Sequence, residues 1–210
     1  MKRIAVLFSL LSVFFLTSLL GCDKANRIEI LRHKNDVQKL RTEKDKFFTF
    51  SEDSPIPDTE RWQFKKLDYF PIDIQYRVKA KFTSIAQPKE FSITTSAGPA
   101  RVYVTLGRLD FKLLGKDLTL MAYQDKSVLG QGSTSLFVPF TDQTSGRETY
   151  GAGRYMDVSM PGADGEMELD FNLAYSPYCA YNLNYSCPIP PAENHLLVAV
   201  AAGEKSFKKM

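Results

Sequence analysis

The chain has 210 residues and a mass of 23.8 kDa, which suits one ordinary domain with a short appendage and excludes a second large one. With 44% hydrophobic and 24% charged residues, its composition excludes wholesale disorder, collagen-like repetition and a multi-span membrane protein. The formal net charge is only +3, and part of it lies at the very front of the chain.

Lys2 and Arg3 open the sequence, Ile4 to Leu20 form an apolar run, and Leu19-Leu20-Gly21-Cys22 closes it. This pattern predicts a bacterial lipoprotein signal peptide over 1–21. Small Gly21 gives a peptidase access to the bond before Cys22, whose thiol then accepts lipid. A transmembrane anchor needs about 20 apolar residues and commonly a basic flank, whereas acidic Asp23 follows here. Loss of the 21-residue leader, with its Lys2 and Arg3, leaves 189 residues and a net charge of +1. No basic patch with interleaved aromatics survives, so nucleic acid is not an expected partner. The expected partner is a membrane, reached through N-terminal acyl chains worth about 0.8 kcal/mol per buried CH₂. The soluble domain is then expected outside the cytoplasm, in the cell envelope.

Residues 22–58 read as a lipid-anchored helix and linker. Between Ala25 and Phe50 the apolar Ile30, Val37, Leu40 and Phe47 recur at helical spacing among many charges, which predicts one amphipathic helix with a solvated charged face that includes His33. Ser51 to Asp58, with Pro55 and Pro57, ends it.

From residue 59 to 210 the pattern predicts a single β-rich domain. Period-two alternation runs through Tyr76–Phe82, Arg101–Leu106, Leu118–Ala122 and Glu166–Phe171, giving strands with one buried and one polar face. Turn signals at Ala97-Gly98-Pro99, Gly115-Lys116-Asp117, Gly130-Gln131-Gly132 and Pro161 to Gly165 separate them. The expected fold is mainly β: an antiparallel β-sandwich or partly open β-barrel with one N-terminal amphipathic helix.

Of three cysteines, Cys22 is assigned to lipid, leaving Cys179 and Cys187 as the natural disulfide in an oxidising compartment. A metal site lacks close C-x-x-C spacing and has only His195 nearby, so neither metal nor cofactor is expected. No G-x-S-x-G elbow, H-E-x-x-H, phosphate loop or complete dinucleotide fingerprint occurs. Ser206 to Lys209 spells S-x-x-K, but at the chain end, where ordering a nucleophile is difficult.

The dense polar and aromatic region from Phe140 to Asn194 is left to explain. It contains Thr149-Tyr150-Gly151, Gly153-Arg154-Tyr155, the run Asp170 to Asn182 and the run Cys187 to Asn194. With Tyr69-Phe70-Pro71, Tyr76-Arg77 and Ala202-Gly203-Glu204, these boxes resemble an uncharacterised prokaryotic family, the domain of unknown function numbered sixteen eighty-four. The similarity extends over roughly Phe64 to Lys205. It implies no activity, cofactor or catalytic residue.

Three functional readings follow from the residues themselves. In the first, a binding or scaffolding module, Arg154 fixes an anionic group. Tyr150, Tyr155, Tyr178 and Tyr181 wall a cleft, and Asn172, Asn182 and Glu193 orient polar atoms of a small molecule, glycan or envelope protein. In the second, a hydrolase draws two carboxylates from Asp142, Asp170 and Glu193. In the third, the boxes only brace loops, with Asp170 and Asn172 bonding loop backbone and Arg154 tying carboxylates.

Overall fold

The computed structural model describes residues 26–132 and 134–208 in full, and residues 3–25 by backbone alone. The leader at 1–21 and the lipid acceptor Cys22 therefore fall outside the fully described residues. Among the described residues no helix is long and apolar enough to cross a membrane.

Helix α1 (Arg3–Phe50) ends where the sequence predicts. Ser51 N–H donates to Phe47 O, the Ser54 hydroxyl takes Phe48 O at 2.7 Å, and Pro55 and Pro57 then forbid continuation. The chain divides into two compact units inside α1, at Leu40 and Arg41. The physical reason is Phe48: it is buried in a cluster with Ile56, Phe64, Leu67 and Tyr181, and so ties the last turns of the helix to the β domain. A short α2 (Asp58–Arg61) follows the prolines.

The domain is a mainly β, antiparallel eight-stranded sheet curled into a half-barrel. Its strands are β1 (Arg77–Ser84), β2 (Glu90–Ile93), β3 (Arg101–Leu113), β4 (Lys116–Asp125), β5 (Ser135–Asp142), β6 (Arg154–Ser159), β7 (Glu166–Asp170) and β8 (His195–Leu196). The order is β6-β5-β4-β3-β1-β7, with β2 on the end of β3 and β8 running parallel to β5. The four alternating stretches lie on β1, β3, β4 and β7. The β3–β4 hairpin turns on Leu114 and Gly115, whose φ values of 51° and 77° give the left-handed pair that a two-residue hairpin needs.

Alternation places Leu109, Phe111 and Leu113 of β3, Leu120 and Ala122 of β4, and Leu136, Val138 and Phe140 of β5 in one core. The chain from β8 onward completes it: Leu196, Val198, Val200 and Ala202 are all buried, as period two dictates. Yet only His195 and Leu196 join a ladder, so this extended segment must satisfy its buried backbone groups by other means.

Candidate functional site

Those other means are the polar boxes. Arg154, at the start of β6, is 0% exposed. Its Nη1 donates to Ala202 O and to Glu204 O, and its Nη2 donates to Val200 O at 2.9 Å and to Asp142 Oδ1 at 3.3 Å. Asp142 Oδ2 accepts the Val200 N–H at 2.7 Å, and both its oxygens accept from Thr144 Oγ1 at 2.9 Å. An ion pair thus serves the last apolar segment in place of a neighbouring strand. Burial lowers the Arg154 pKa from its ordinary value, and the adjacent Asp142 opposes that drop. Gly203 makes the arrangement possible: at φ 76° it turns the chain between Ala202 and Glu204, where a Cβ would lie 2.5 Å from Ala174 O.

Glu204 continues the brace. Its Oε2 accepts from Ser176 N at 2.6 Å and from the Tyr181 hydroxyl, and its Oε1 meets Lys44 Nζ at 2.6 Å. Burial, then Glu204, pushes the Tyr181 pKa far up, so this phenol stays protonated. Asn172 exchanges two bonds with the Asp73 backbone while Asp170 Oδ1 accepts from Asn172 N and Nδ2. Asn194 does the same service between β4 and β5: its amide takes Met121 O and Pro139 O and accepts Met121 N–H.

The predicted site residues therefore separate. Arg154, Asn172 and Tyr181 are buried brace groups that face no solvent, a correction to their expected place in a ligand cleft. Asn182 caps its own turn through Asn184 N–H, and Glu193 is exposed and accepts from the Tyr123 hydroxyl at 3.0 Å. The three carboxylates offered for hydrolysis serve different structures: Asp142 the brace, Asp170 a 3₁₀ turn and Glu193 a tyrosine. Among the described residues no group of three or more His, Cys, Asp and Glu is placed to hold a metal ion. His195 Nδ1 is 2.9 Å from Thr141 Oγ1.

Tyr155 and Tyr178 do line a cavity, of about 670 Å³, on the other face of β6. Strand geometry explains the split: neighbours on a strand point to opposite faces, so Arg154 enters the core side and Tyr155 the cavity. The cavity wall is a run of rings. Tyr103 stacks on Phe137 with centroids 5.4 Å apart, Phe137 meets Tyr155 edge-on at 4.8 Å, and Tyr155 meets Tyr175 edge-on at 5.8 Å. Tyr178 and Tyr185 form a further T-shaped pair at 5.2 Å. Tyr103, Phe137, Tyr175, Arg101 and Lys44 were not among the sequence candidates. Sheet order brings β3 and β5 to the wall, and only the shared parity of Arg101 and Tyr103 on one predicted strand could have signalled it.

Charge at the cavity is sparse and positioned. Lys44 Nζ sits 4.8 Å from the Tyr175 ring centroid, between that ring and Glu204, an internal cation–π contact. Asp157 accepts from the Tyr175 hydroxyl. Arg101 is exposed, with Nη2 donating to Ser186 O at 3.3 Å. Burial raises the Tyr155 and Tyr175 pKa values well above the phenol range and pushes Tyr103 up to about 12, so the rings are neutral walls at physiological pH.

Cys179 and Cys187 are free, buried thiols in contact. Cys179 N–H donates to Cys187 Sγ at 3.2 Å, and the Tyr150 hydroxyl reaches Cys179 Sγ at 3.7 Å. The hydrogen bond from Cys187 lowers the Cys179 pKa to about 6 and drives that of Cys187 up.

A family model described as "Protein of unknown function (DUF1684)" matches residues 62–205. No curated protein matches the chain. The solution NMR structure of an uncharacterized protein of Haloarcula marismortui is similar at 42% identity and a TM-score of 0.65, over 81% of this chain and 92% of that one.

Proposed function

We propose, for a chain that belongs to the DUF1684 family of proteins of unknown function, a ligand-binding role seated in the aromatic-walled cavity rather than around Arg154. The observation that carries this reading is the 670 Å³ space bounded by Tyr103, Phe137, Tyr155, Tyr175 and Tyr178 with Arg101 at its edge. Its volume lies within the 300–1,000 Å³ or so of small-molecule pockets, and its lining has their character, largely apolar with few polar groups. Ring faces favour a flat body such as an aromatic system or the face of a sugar. Arg101 and Lys44 favour an anionic group on it.

The sequence adds a place of work to this reading: a lipidated Cys22 holds the domain at a membrane surface, outside the cytoplasm, where its ligand is met. The lipoprotein pattern of residues 1–22 supports that part of the proposal.

Anilinonaphthalene sulfonate has a flat apolar body and one anionic group, and is a suitable probe. Its fluorescence titration is expected to saturate with the native protein. Tyr178→Ala, which removes a ring that is 36% exposed, and Arg101→Gln, at an exposed position, are each expected to weaken binding by about fivefold, the size of one aromatic or one charged contact. Unchanged affinity in both variants, with unchanged unfolding midpoints, would overturn the cavity as the site.

A further inference from the structure

The thiol pair lies in the wall of this cavity. Cys187 lines it directly, while Cys179 is buried beside it, 5% exposed against 9% for Cys187. Two donors meet the sulfurs, the Cys179 amide and the Tyr150 hydroxyl, while the Cys187 amide donates to Ser96 Oγ at 3.2 Å. Arg101 from β3 adds positive charge near Cys187, and Tyr155 from β6 packs in one cluster with both cysteines while its hydroxyl donates to Pro188 O. Such surroundings favour a thiolate, the form that attacks disulfides. The eight-residue spacing also matters, because Tyr178 directly precedes Cys179 and Tyr185 lies two residues before Cys187.

We infer that Cys179 and Cys187 are a redox-active dithiol that exchanges with disulfides entering through the cavity and, once oxidised, sets the cavity's affinity for its ligand. This coupling rests on the cavity reading above. The pair carries one proton and one negative charge. With the shared proton moved onto Cys179, the cavity-facing Cys187 thiolate attacks one sulfur of an incoming disulfide R–S–S–R; the S–S bond breaks, a mixed disulfide forms and one R–S⁻ leaves. Cys179 then passes the shared proton to that R–S⁻ and attacks Cys187, forming the Cys179–Cys187 bond and releasing the second R–S⁻. Two protein sulfurs are oxidised and the external disulfide is reduced to its two thiol halves. The new bond fixes the segment that presents Tyr178 and Tyr185, so these rings need less ordering when a ligand arrives. By reciprocity, a ligand that prefers the oxidised form makes the bond harder to reduce by the same factor.

The test uses the full chain with Cys22→Ser, in which Cys179 and Cys187 are the only thiols. The protein is equilibrated in glutathione/glutathione-disulfide buffers, trapped by alkylation and read by intact mass, and anilinonaphthalene sulfonate is titrated into the fully reduced and fully oxidised forms. The expected result is a monomeric product that has lost two hydrogens, forming in one step, and about fivefold tighter dye binding by it, with no redox dependence in Cys187→Ser. Persistent alkylation of both cysteines in excess glutathione disulfide would overturn the inference, as would equal dye affinity in the two states. Dye that binds neither state while the disulfide still forms would instead overturn the cavity reading, and with it the coupling.

Discussion

Replacing Arg154 with alanine is expected to lower the stability of the domain by about 4 kcal/mol, because it breaks a fully buried ion pair and strands its partners. The side chain is 0% exposed, so solvent does not take over its work. Removal leaves Asp142 without its counter-charge and leaves the carbonyls of Val200, Ala202 and Glu204 without that donor. A loss of that size is a large share of the 5–15 kcal/mol or so that holds a typical domain. Urea unfolding should show a much lower midpoint with a similar slope. Arg154→Lys should rescue little, since one ammonium cannot replace a planar fork that meets an acid and several carbonyls at once. Arg154→Met combined with Asp142→Asn should recover part of the loss, because no buried charge then stands alone. A native midpoint accompanied by lost ligand binding would contradict the bracing role and return Arg154 to a ligand cleft.

The second large effect is near the start of the sequence. Cys22→Ala is expected to release the protein wholly from membranes into the soluble fraction, and to abolish incorporation of labelled palmitate in a bacterial host. The physical ground is the acyl ledger: at about 0.8 kcal/mol per buried CH₂ one chain binds reversibly, while two or more hold durably. The residues that follow Cys22, Asp23 to Asn26, include a single apolar side chain, the methyl of Ala25, and offer little to compensate. Palmitate incorporated equally by wild type and variant, or membrane retention of the variant, would overturn the anchor.

Much of the architecture was legible because it rests on period. Glu166-Met167-Glu168-Leu169-Asp170 alternates strictly and forms β7; Arg101 to Leu106 alternates and begins β3. The half-barrel follows from short antiparallel strands joined by turns. β5 was less visible, since Ser135–Asp142 is buried on both faces over Val138, Pro139 and Phe140 and carries a proline where a central strand wants an N–H. Its stability at Pro139 depends on Asn194, 55 residues away, taking the carbonyl of that residue. Nothing in a local window shows such a bond.

The candidate site was legible as a region and misread in its parts. The stretch rich in polar and aromatic residues mixes two different surfaces. Arg154 and Tyr155 are neighbours in sequence and lie on opposite faces of β6, one in the brace and one in the cavity. Parity along a strand separates them, but β6 has to be recognised first, and its pattern Arg-Tyr-Met-Asp-Val-Ser lacks clean alternation. An arginine's burial, in turn, depends on long-range partners such as Val200, 46 residues on. Arg101 and Phe137 reach the cavity only through the order of strands in the sheet.

The central claim is the location of the ligand site, and ring-resolved NMR tests it most directly. With aromatic side chains isotopically labelled, saturation with anilinonaphthalene sulfonate should move the ring signals of Tyr103, Phe137, Tyr155, Tyr175 and Tyr178 together, on one binding curve, while the Tyr181 and Phe140 rings beside the brace stay in place. Shifts concentrated at Tyr181 and Phe140, with the cavity rings unmoved, would contradict it.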